Sequence, residues 1–225
     1  MSVPILYNLV MSRPPPAAGP RQRLLLQILK DTALLLFFTM LRSSSLFPPS
    51  LSEADPLRNL SWERVRFTDF GAVIFVMHSK TNQFQQRVHR IVLKEKRGSI
   101  FCPVQALYRL RDMRNLPVHT LRDHVFQIPT SAGGWTLLTK PTVNTWFRGR
   151  IEAMGLDPRR YLLHGFRHGA ISLALVEEPN INMIKIQSDH LSESVWSYAQ
   201  VDVNRRLSVA SKMVDALDNY DPDED

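Results

Sequence analysis

The sequence predicts a mixed α/β (α+β) domain that is mainly helical, with a small antiparallel β-sheet at one edge. Three observations lead to this prediction. An apolar run over Leu24–Leu41 is long enough for a buried helix. Short β-branched segments between residues 62 and 93 alternate with turn residues, as hairpin strands do. Apolar residues recur at helical spacing through the second half of the chain, which at 225 residues can bury one substantial core.

The first predicted helix, Leu24–Leu41, is apolar nearly all round and is followed directly by Arg42. Lys30 and Asp31 near its middle favour a buried core helix over the alternative, a membrane span. Prolines at positions 48 and 49 stop any continuation. An arginine at the end of such a helix must be exposed, paired or directed at a ligand, so Arg42 is a candidate site residue.

The predicted sheet has three strands, over Trp62–Phe67, Ala72–His78 and Arg87–Leu93, with a turn at residues 69–71. Lys80 falls in the polar connector between the second and third strands. A lysine on a hairpin is usually only solvated, so Lys80 needs support from elsewhere in the chain to count as a site residue.

Two helices are predicted next, over Pro103–Asn115 and over Pro141–Met154, the second capped by Thr139 and stopped by Gly155. A basic segment begins in the second helix and continues beyond it. The alternatives for it are a solvated surface and a helix laid against DNA phosphates. The candidate DNA-binding residues are Arg148, Arg150, Arg159 and Arg160.

Near the end of the chain, His164 and Arg167 stand three residues apart at the start of a predicted helix, so they project from one face. His190 and Tyr198 follow. Imidazoles, a guanidinium and a phenol together suit an attack on a phosphodiester. Further helices are predicted over Ile181–Gln187, after Ser192 and over Val203–Leu217.

Charge is unevenly distributed along the chain. The net charge is +7, yet the last eleven residues carry six acidic groups and no Lys or Arg, which leaves +13 on residues 1–214. A basic body of this kind favours a polyanionic partner. The single cysteine, Cys102, excludes an internal disulfide, and the sequence contains no metal-ligand cluster, Gly-rich phosphate loop or cleavable leader.

These patterns divide the chain into three parts. Residues 1–22, with three consecutive prolines at 14–16, are predicted to be an extended lead-in. Residues 23–214 form the folded domain. Residues 215–225 are predicted to be an acidic, solvating tail.

Over most of residues 24–200 the chain resembles the catalytic domain of the tyrosine recombinases, or phage-type integrases. The phrases Leu-Arg-x-Ser-x-Leu, Ser-Lys-Thr-x-Gln-Phe and Cys-Pro-Val-x-Ala-Leu are most similar to recombinases of eukaryotic mobile elements of the Crypton and DIRS-like kind. The resemblance implies the recombinase catalytic fold for residues 23–214. The implied site residues, in chain order, are Arg42, Lys80, His164, Arg167, His190 and Tyr198.

The resemblance implies that Tyr198 attacks DNA, forms a 3′-phosphotyrosyl bond and frees a 5′-hydroxyl. Arg42 and Arg167 would clamp the non-bridging phosphate oxygens with planar, always-charged groups. The covalent bond conserves the energy of the phosphodiester, so strands could be rejoined without ATP, metal or another cofactor.

The remaining implied roles are proton transfer by His164 and Lys80 and contact with the phosphate by His190. His164 would assist proton transfer at the tyrosine, and Lys80 would act as the general acid on the departing 5′-oxygen. His190 would hydrogen-bond the phosphate.

Three features depart from the family pattern. Ser45 stands where a Glu is common, Ser188-Asp189-His190 replaces the usual second motif, and Tyr198 follows His190 by eight residues instead of nine. Members also usually carry a helical DNA-gripping domain ahead of the catalytic one. Only 23 residues precede Leu24, so we expect a trimmed fragment or a clamp supplied in another way.

The resemblance implies a partner, an assembly and a location. The partner is double-stranded DNA, and the assembly is a homo-tetramer on two recombination sites, with the helix after Tyr198 docking on a neighbouring subunit. No membrane is involved, and the location is the nucleus if the host is eukaryotic. Two alternatives stay open: a catalytically weak or inactive DNA-binding module derived from a mobile element, and a relaxing enzyme like the type IB topoisomerases.

Overall fold

The computed structural model describes residues 2–77, 88–114, 123–177, 180–188 and 203–221. Within them the chain is mainly helical, with a small antiparallel sheet, which confirms the predicted mixed α/β class. The helices are α1 (Val3–Met11), α2 (Pro20–Phe38), α3 (Ser43–Leu46), α4 (Pro103–Asp112), α5 (Lys140–Ala153), α6 (His164–Glu177), α7 (Ile181–Ser188) and α8 (Val203–Asp218). The strands are β1 (Val65–Thr68), β2 (Gly71–Val76), β3 (His89–Lys94), β4 (Gln127–Pro129) and β5 (Trp135–Leu137).

The main sheet has the order β1–β2–β3, with both pairs antiparallel, as predicted. Gly71 opens β2 at φ 147°, where an added Cβ would stand 2.2 Å from the Leu93 carbonyl oxygen, so only glycine fits this bend. The predicted first strand is shorter than expected. Its start is a 3₁₀ turn over Trp62–Arg64, because the buried Arg64 guanidinium turns back to donate to the Leu57 carbonyl at 2.9 Å.

Helix α2 is the central core element, and ten of its residues between Ile28 and Phe38 are buried. It ends at Phe38, three residues earlier than predicted, so Arg42 follows a turn instead of the helix itself. Its buried Asp31 accepts hydrogen bonds from Arg109 of α4 and thereby joins the two helices. Among the described residues, no helix is long and apolar enough to cross a membrane.

The prediction of an extended lead-in over residues 1–22 was wrong for its first half. Residues 3–11 form α1, whose Ile5, Leu6, Leu9 and Val10 are buried in the same core as α2. The i, i+1, i+4, i+5 spacing of these four residues places them on one helical face. Residues 12–19, which include the three consecutive prolines, are non-helical, and α2 already begins at Pro20.

The acidic C-terminal segment was also predicted incorrectly at its start. Asp215 and Asp218 belong to α8, and both form ion pairs with Lys96. Ser99 donates a second hydrogen bond to Asp218 at 2.7 Å, and Leu217 is fully buried. Helix α8 packs against β3 and α6 of its own chain. Docking of this segment on a neighbouring subunit stays a prediction.

Helices α5 and α6 match their predicted positions closely. Gly155, at φ 73°, ends the segment that contains α5, as expected of a glycine C-cap. The Phe147 ring of α5 packs against the Phe166 ring of α6, with centroids 5.0 Å apart. Ala170 and Ala174 of α6 are fully buried, and α6 packs on α2. These contacts fix where the first turn of α6 lies relative to the end of α2.

Candidate functional site

The site begins at the turn that follows α2. Thr39 directly follows the helix and donates its hydroxyl to the Leu35 carbonyl at 2.6 Å. Met40 then takes φ 53°, a left-handed conformation that costs a non-glycine residue on the order of 1 kcal/mol or more. Its side chain is fully buried, so packing holds the conformation in place. The turn redirects the chain so that Arg42 precedes α3 instead of extending α2.

Arg167 of α6 ties this turn to the second half of the chain. Its Nη1 donates to the Met40 carbonyl at 2.5 Å, across a separation of 127 residues. Arg167 is only 3% exposed. Because a buried guanidinium that lacked partners would be costly, this contact contributes to the fold as well as to the site. It also fixes the position of Arg42, two residues after Met40, relative to α6.

His164 is the first residue of α6 and is exposed. Partial burial lowers its pKa, and the neighbouring charges of His168, Arg167 and Arg42 lower it further. The His168 ring lies edge-on to the His164 ring, with centroids 4.7 Å apart. A lowered pKa favours the neutral imidazole near neutral pH, which is the form that accepts a proton.

Arg42 and His164 line one open cleft of about 630 Å³. Lys140 and Asn144, at the start of α5, line the same cleft, one helical turn apart. These two residues and His168 were not predicted from the sequence. Their i, i+4 spacing was visible there, but nothing indicated that the start of α5 faces Arg42. The cleft therefore offers two cations, an imidazole and an amide, a set that suits an anion.

The four arginines predicted to bind DNA do not share one surface. Arg159 donates hydrogen bonds to Asp157 and lowers the pKa of that carboxyl, and the charges of Arg160 and Arg148 lower it further. The residues that act on Asp157 are therefore close to it, and all three of them are exposed: Arg148, Arg159 and Arg160. Arg150 instead faces α1 and α2, because its charge acts on Lys30 and its side chain lines a cavity with residues of α1.

Arg148 lies on the same face of α5 as the two residues of that helix that line the cleft. Lys140, Asn144 and Arg148 are spaced four residues apart, so they lie on one helical face. The first two line the cleft, and the third stands beside the Asp157 group of arginines. A basic path about 12 Å long therefore leads from the cleft along α5.

Lys80, His190 and Tyr198 lie outside the described residues. Among the described residues, the start of β3 and the end of α7 are in contact. His89, at the start of β3, contacts the Gln187 carbonyl oxygen near the end of α7 through Nε2 at 3.3 Å. The side-chain amide of Gln187 donates from Nε2 to the Val92 carbonyl at 2.7 Å, and its Oε1 accepts from the Val92 backbone N–H at 3.4 Å. The start of β3 and the end of α7 are thus held close together.

The two serines that depart from the family pattern are both buried. Ser45 lies in α3, and its amide donates to the Arg42 carbonyl at 2.9 Å, so it supports the turn that carries Arg42. Ser188 is the last residue of α7 and is fully buried. Within the described ranges no group of three or more His, Cys, Asp or Glu side chains is arranged to hold a metal ion.

Searches against family models, curated proteins and solved structures found no match to this chain.

Proposed function

We propose that this chain is a DNA strand transferase of the tyrosine-recombinase class, with the catalytic fold of that class. It cuts one DNA strand, holds it covalently through Tyr198 and rejoins it to a new partner. The order of the six candidate residues in the sequence motivates this proposal. The net charge of +13 on residues 1–214 supports a polyanionic substrate such as DNA.

One observation supports the proposal most directly. Arg42 is distant in the sequence from His164 and Arg167, yet the three residues converge at one end of α2. Arg42 and His164 line the same cleft, and Arg167 holds the carbonyl of Met40, two residues before Arg42. A left-handed backbone at a buried methionine is the kind of strain that persists where a side chain must be aimed accurately.

The chemistry proceeds by in-line displacement at phosphorus. The Tyr198 oxygen forms a bond to phosphorus while the bond from phosphorus to the 5′-oxygen breaks. The phenol proton passes to neutral His164, and Lys80 supplies a proton to the departing 5′-oxygen. Rejoining reverses these steps with a 5′-hydroxyl of another strand.

The cations at the cleft stabilise the charge that develops on the phosphoryl oxygens. Arg42 supplies an always-charged fork, and Lys140 and Asn144 extend the same binding surface along α5. Arg167 is buried and anchors the turn that carries Arg42 through its hydrogen bond to the Met40 carbonyl.

The proposal is tested by covalent trapping on nicked DNA. The full chain is incubated with a library of nicked duplexes of random sequence, in which release of a short 5′-hydroxyl fragment prevents rejoining. Wild-type protein should give a denaturant-resistant adduct, and Tyr198→Phe should give none while binding the same DNA with an affinity within about twofold, since only one hydroxyl is removed.

Tyr161→Phe is the matched control, because Tyr161 directly precedes cleft residues Leu162 and Leu163 and also carries a phenol. It should keep the adduct. Adduct formation by Tyr198→Phe would overturn the assignment of the nucleophile. DNA binding without any adduct in the wild type would reduce the function to a DNA-binding module. An adduct with plasmid relaxation and no strand exchange would indicate a relaxing enzyme.

A further inference from the structure

A second basic region lies between α1, α2 and α4, away from the candidate site. A cavity of about 360 Å³ is lined there by Arg13, Lys30 and Arg109. A neighbouring cavity of about 410 Å³ is lined by Arg150 and shares Met11 with the first. We refer to the two cavities together as the α1 cleft.

The cations of the α1 cleft outnumber its carboxylates. Among the described residues that line it, Asp31 is the single acid, and both of its oxygens accept hydrogen bonds from Arg109 at 2.5–3.2 Å. Across the described chain, no carboxylate forms an ion pair with Arg13, Lys30 or Arg150. Three cations therefore have no ion-pair partner among the described residues: Arg13 and Lys30 line the first cavity, and Arg150 lines the second.

Two of the three cations, Lys30 and Arg150, are in an unfavourable environment. Burial lowers the pKa of Lys30, and the charge of Arg150 lowers it further, although Asp31 acts in the opposite direction. The Nε of Arg150 is enclosed and has no hydrogen-bond partner among the described residues. An anion placed between these groups would relieve the repulsion.

The α1 cleft is distinct from the candidate site. Lys30 precedes the end of α2 by eight residues, which is about 12 Å along the helix axis. Arg150 follows Lys140 by ten residues, which is about 15 Å along α5. Helix α5 thus presents Lys140 beside Arg42 and Arg150 beside α1, whereas α2 contributes Lys30, which lies beside α1.

We propose that the α1 cleft binds a phosphate group through Arg13, Lys30 and Arg150, with the Arg109–Asp31 pair as its rigid wall. A phosphate group presents several oxygens to the three cations, more than a single carboxylate does, and guanidinium forks suit its tetrahedral oxygens. The phosphate comes either from a DNA backbone or from a free phosphate anion. The proposal does not depend on recombinase activity.

The test uses inorganic pyrophosphate as the probe and backbone amide NMR shifts of the full chain as the readout. Saturable shifts are expected at residues 8–13 and 27–31. The double variant Lys30→Gln with Arg150→Gln should weaken this binding at least about tenfold, because it removes two charge-assisted hydrogen-bond donors. Arg13→Gln alters an exposed side chain and should weaken it while leaving the fold intact.

Two controls keep this site separate from the first. Arg97→Gln removes one exposed charge elsewhere and should not change binding at residues 8–13 and 27–31. Arg42→Gln, in the candidate site, should not change it either. Equal pyrophosphate affinity in the double variant and the wild type would overturn the proposal, as would shifts confined to the Arg42 cleft.

A duplex DNA titration identifies the source of the phosphate. If the double variant also weakens DNA binding and its salt dependence, the α1 cleft holds the DNA backbone. If DNA binding is unchanged while pyrophosphate no longer binds, the cleft serves a free phosphate anion. Either outcome supports the phosphate site.

Discussion

At the scale of single residues, the charge state of His164 decides whether it can accept a proton. Burial and three neighbouring cationic or titratable groups lower its pKa below the ordinary value of about 6.5. The unfolded chain then takes up a proton at His164 more readily than the folded chain does. As pH falls through about 6.5, this residue therefore reduces the free energy of unfolding, and above that pH its cost disappears.

The pKa of His164 can be used to test directly whether Arg42 lies close to it. In an NMR titration of the histidine ring protons, His164 should titrate below about 6.5. Arg42→Gln should raise the pKa of His164, because a nearby positive charge is removed. Arg97→Gln, which removes an exposed charge elsewhere, should leave it unchanged. An unchanged pKa in the Arg42 variant would contradict the convergence of these two residues.

Residue patterns predicted part of this site and missed the rest for a physical reason. The i, i+3 spacing of His164 and Arg167 was readable because both lie on one helix. The approach of Lys140 and the contact from Arg167 to Met40 depend on how α2, α5 and α6 pack, which no local spacing encodes. The left-handed backbone at Met40 was likewise unreadable, because methionine seldom adopts it.

At the scale of elements, two kinds of contact hold helix α8 against the rest of the domain: ion pairs and apolar packing. Its ion pairs with Lys96 are partly exposed, with Asp215 50% and Lys96 36% accessible, so they contribute at most about 1 kcal/mol. Its apolar face is buried, including Val214 and Leu217. Burial of this face is therefore the main source of attachment.

Urea unfolding of the full chain can separate the two contributions. Leu217→Ala should lower the free energy of unfolding by about 2–5 kcal/mol, because it leaves a cavity at a fully buried position. Asp215→Asn should lower it by less than about 1 kcal/mol. The opposite ranking would mean that the ion pairs, and not the apolar face, hold α8.

Elements with strong periodicity were predicted within a few residues, as α5, α6 and α8 show. Helix α1 was missed, although its four buried residues have helical spacing, because the nearby prolines dominate the composition of that segment. The boundary of α2 was misplaced because Thr39 and Met40 are compatible with a helix in composition. Only the buried turn, fixed by Arg167, stops the helix at Phe38.

At the scale of the whole molecule, the positive charge is arranged in specific places instead of being spread evenly. One basic path leads from the Arg42 cleft along α5 to the arginines around Asp157. A separate group surrounds the α1 cleft. The sequence predicted a basic body and a polyanionic partner, but the division into two groups depends on Arg148 and Arg150 pointing to different sides of α5.

The basic path leads to a prediction about DNA binding as a function of salt. Each phosphate-binding side chain that is removed should make the slope of log affinity against log salt concentration less negative by about 0.9. Arg148→Gln combined with Arg160→Gln should therefore change the slope by about 1.8, measured by fluorescence anisotropy on duplex DNA. Arg159 is left in place because it is paired with Asp157. Arg97→Gln provides the matched removal of one exposed charge and should leave the slope unchanged. An equal slope for the double variant and the wild type would mean that DNA does not follow this face of α5. A changed slope with an unchanged yield of the Tyr198 adduct would assign the two arginines to DNA positioning alone.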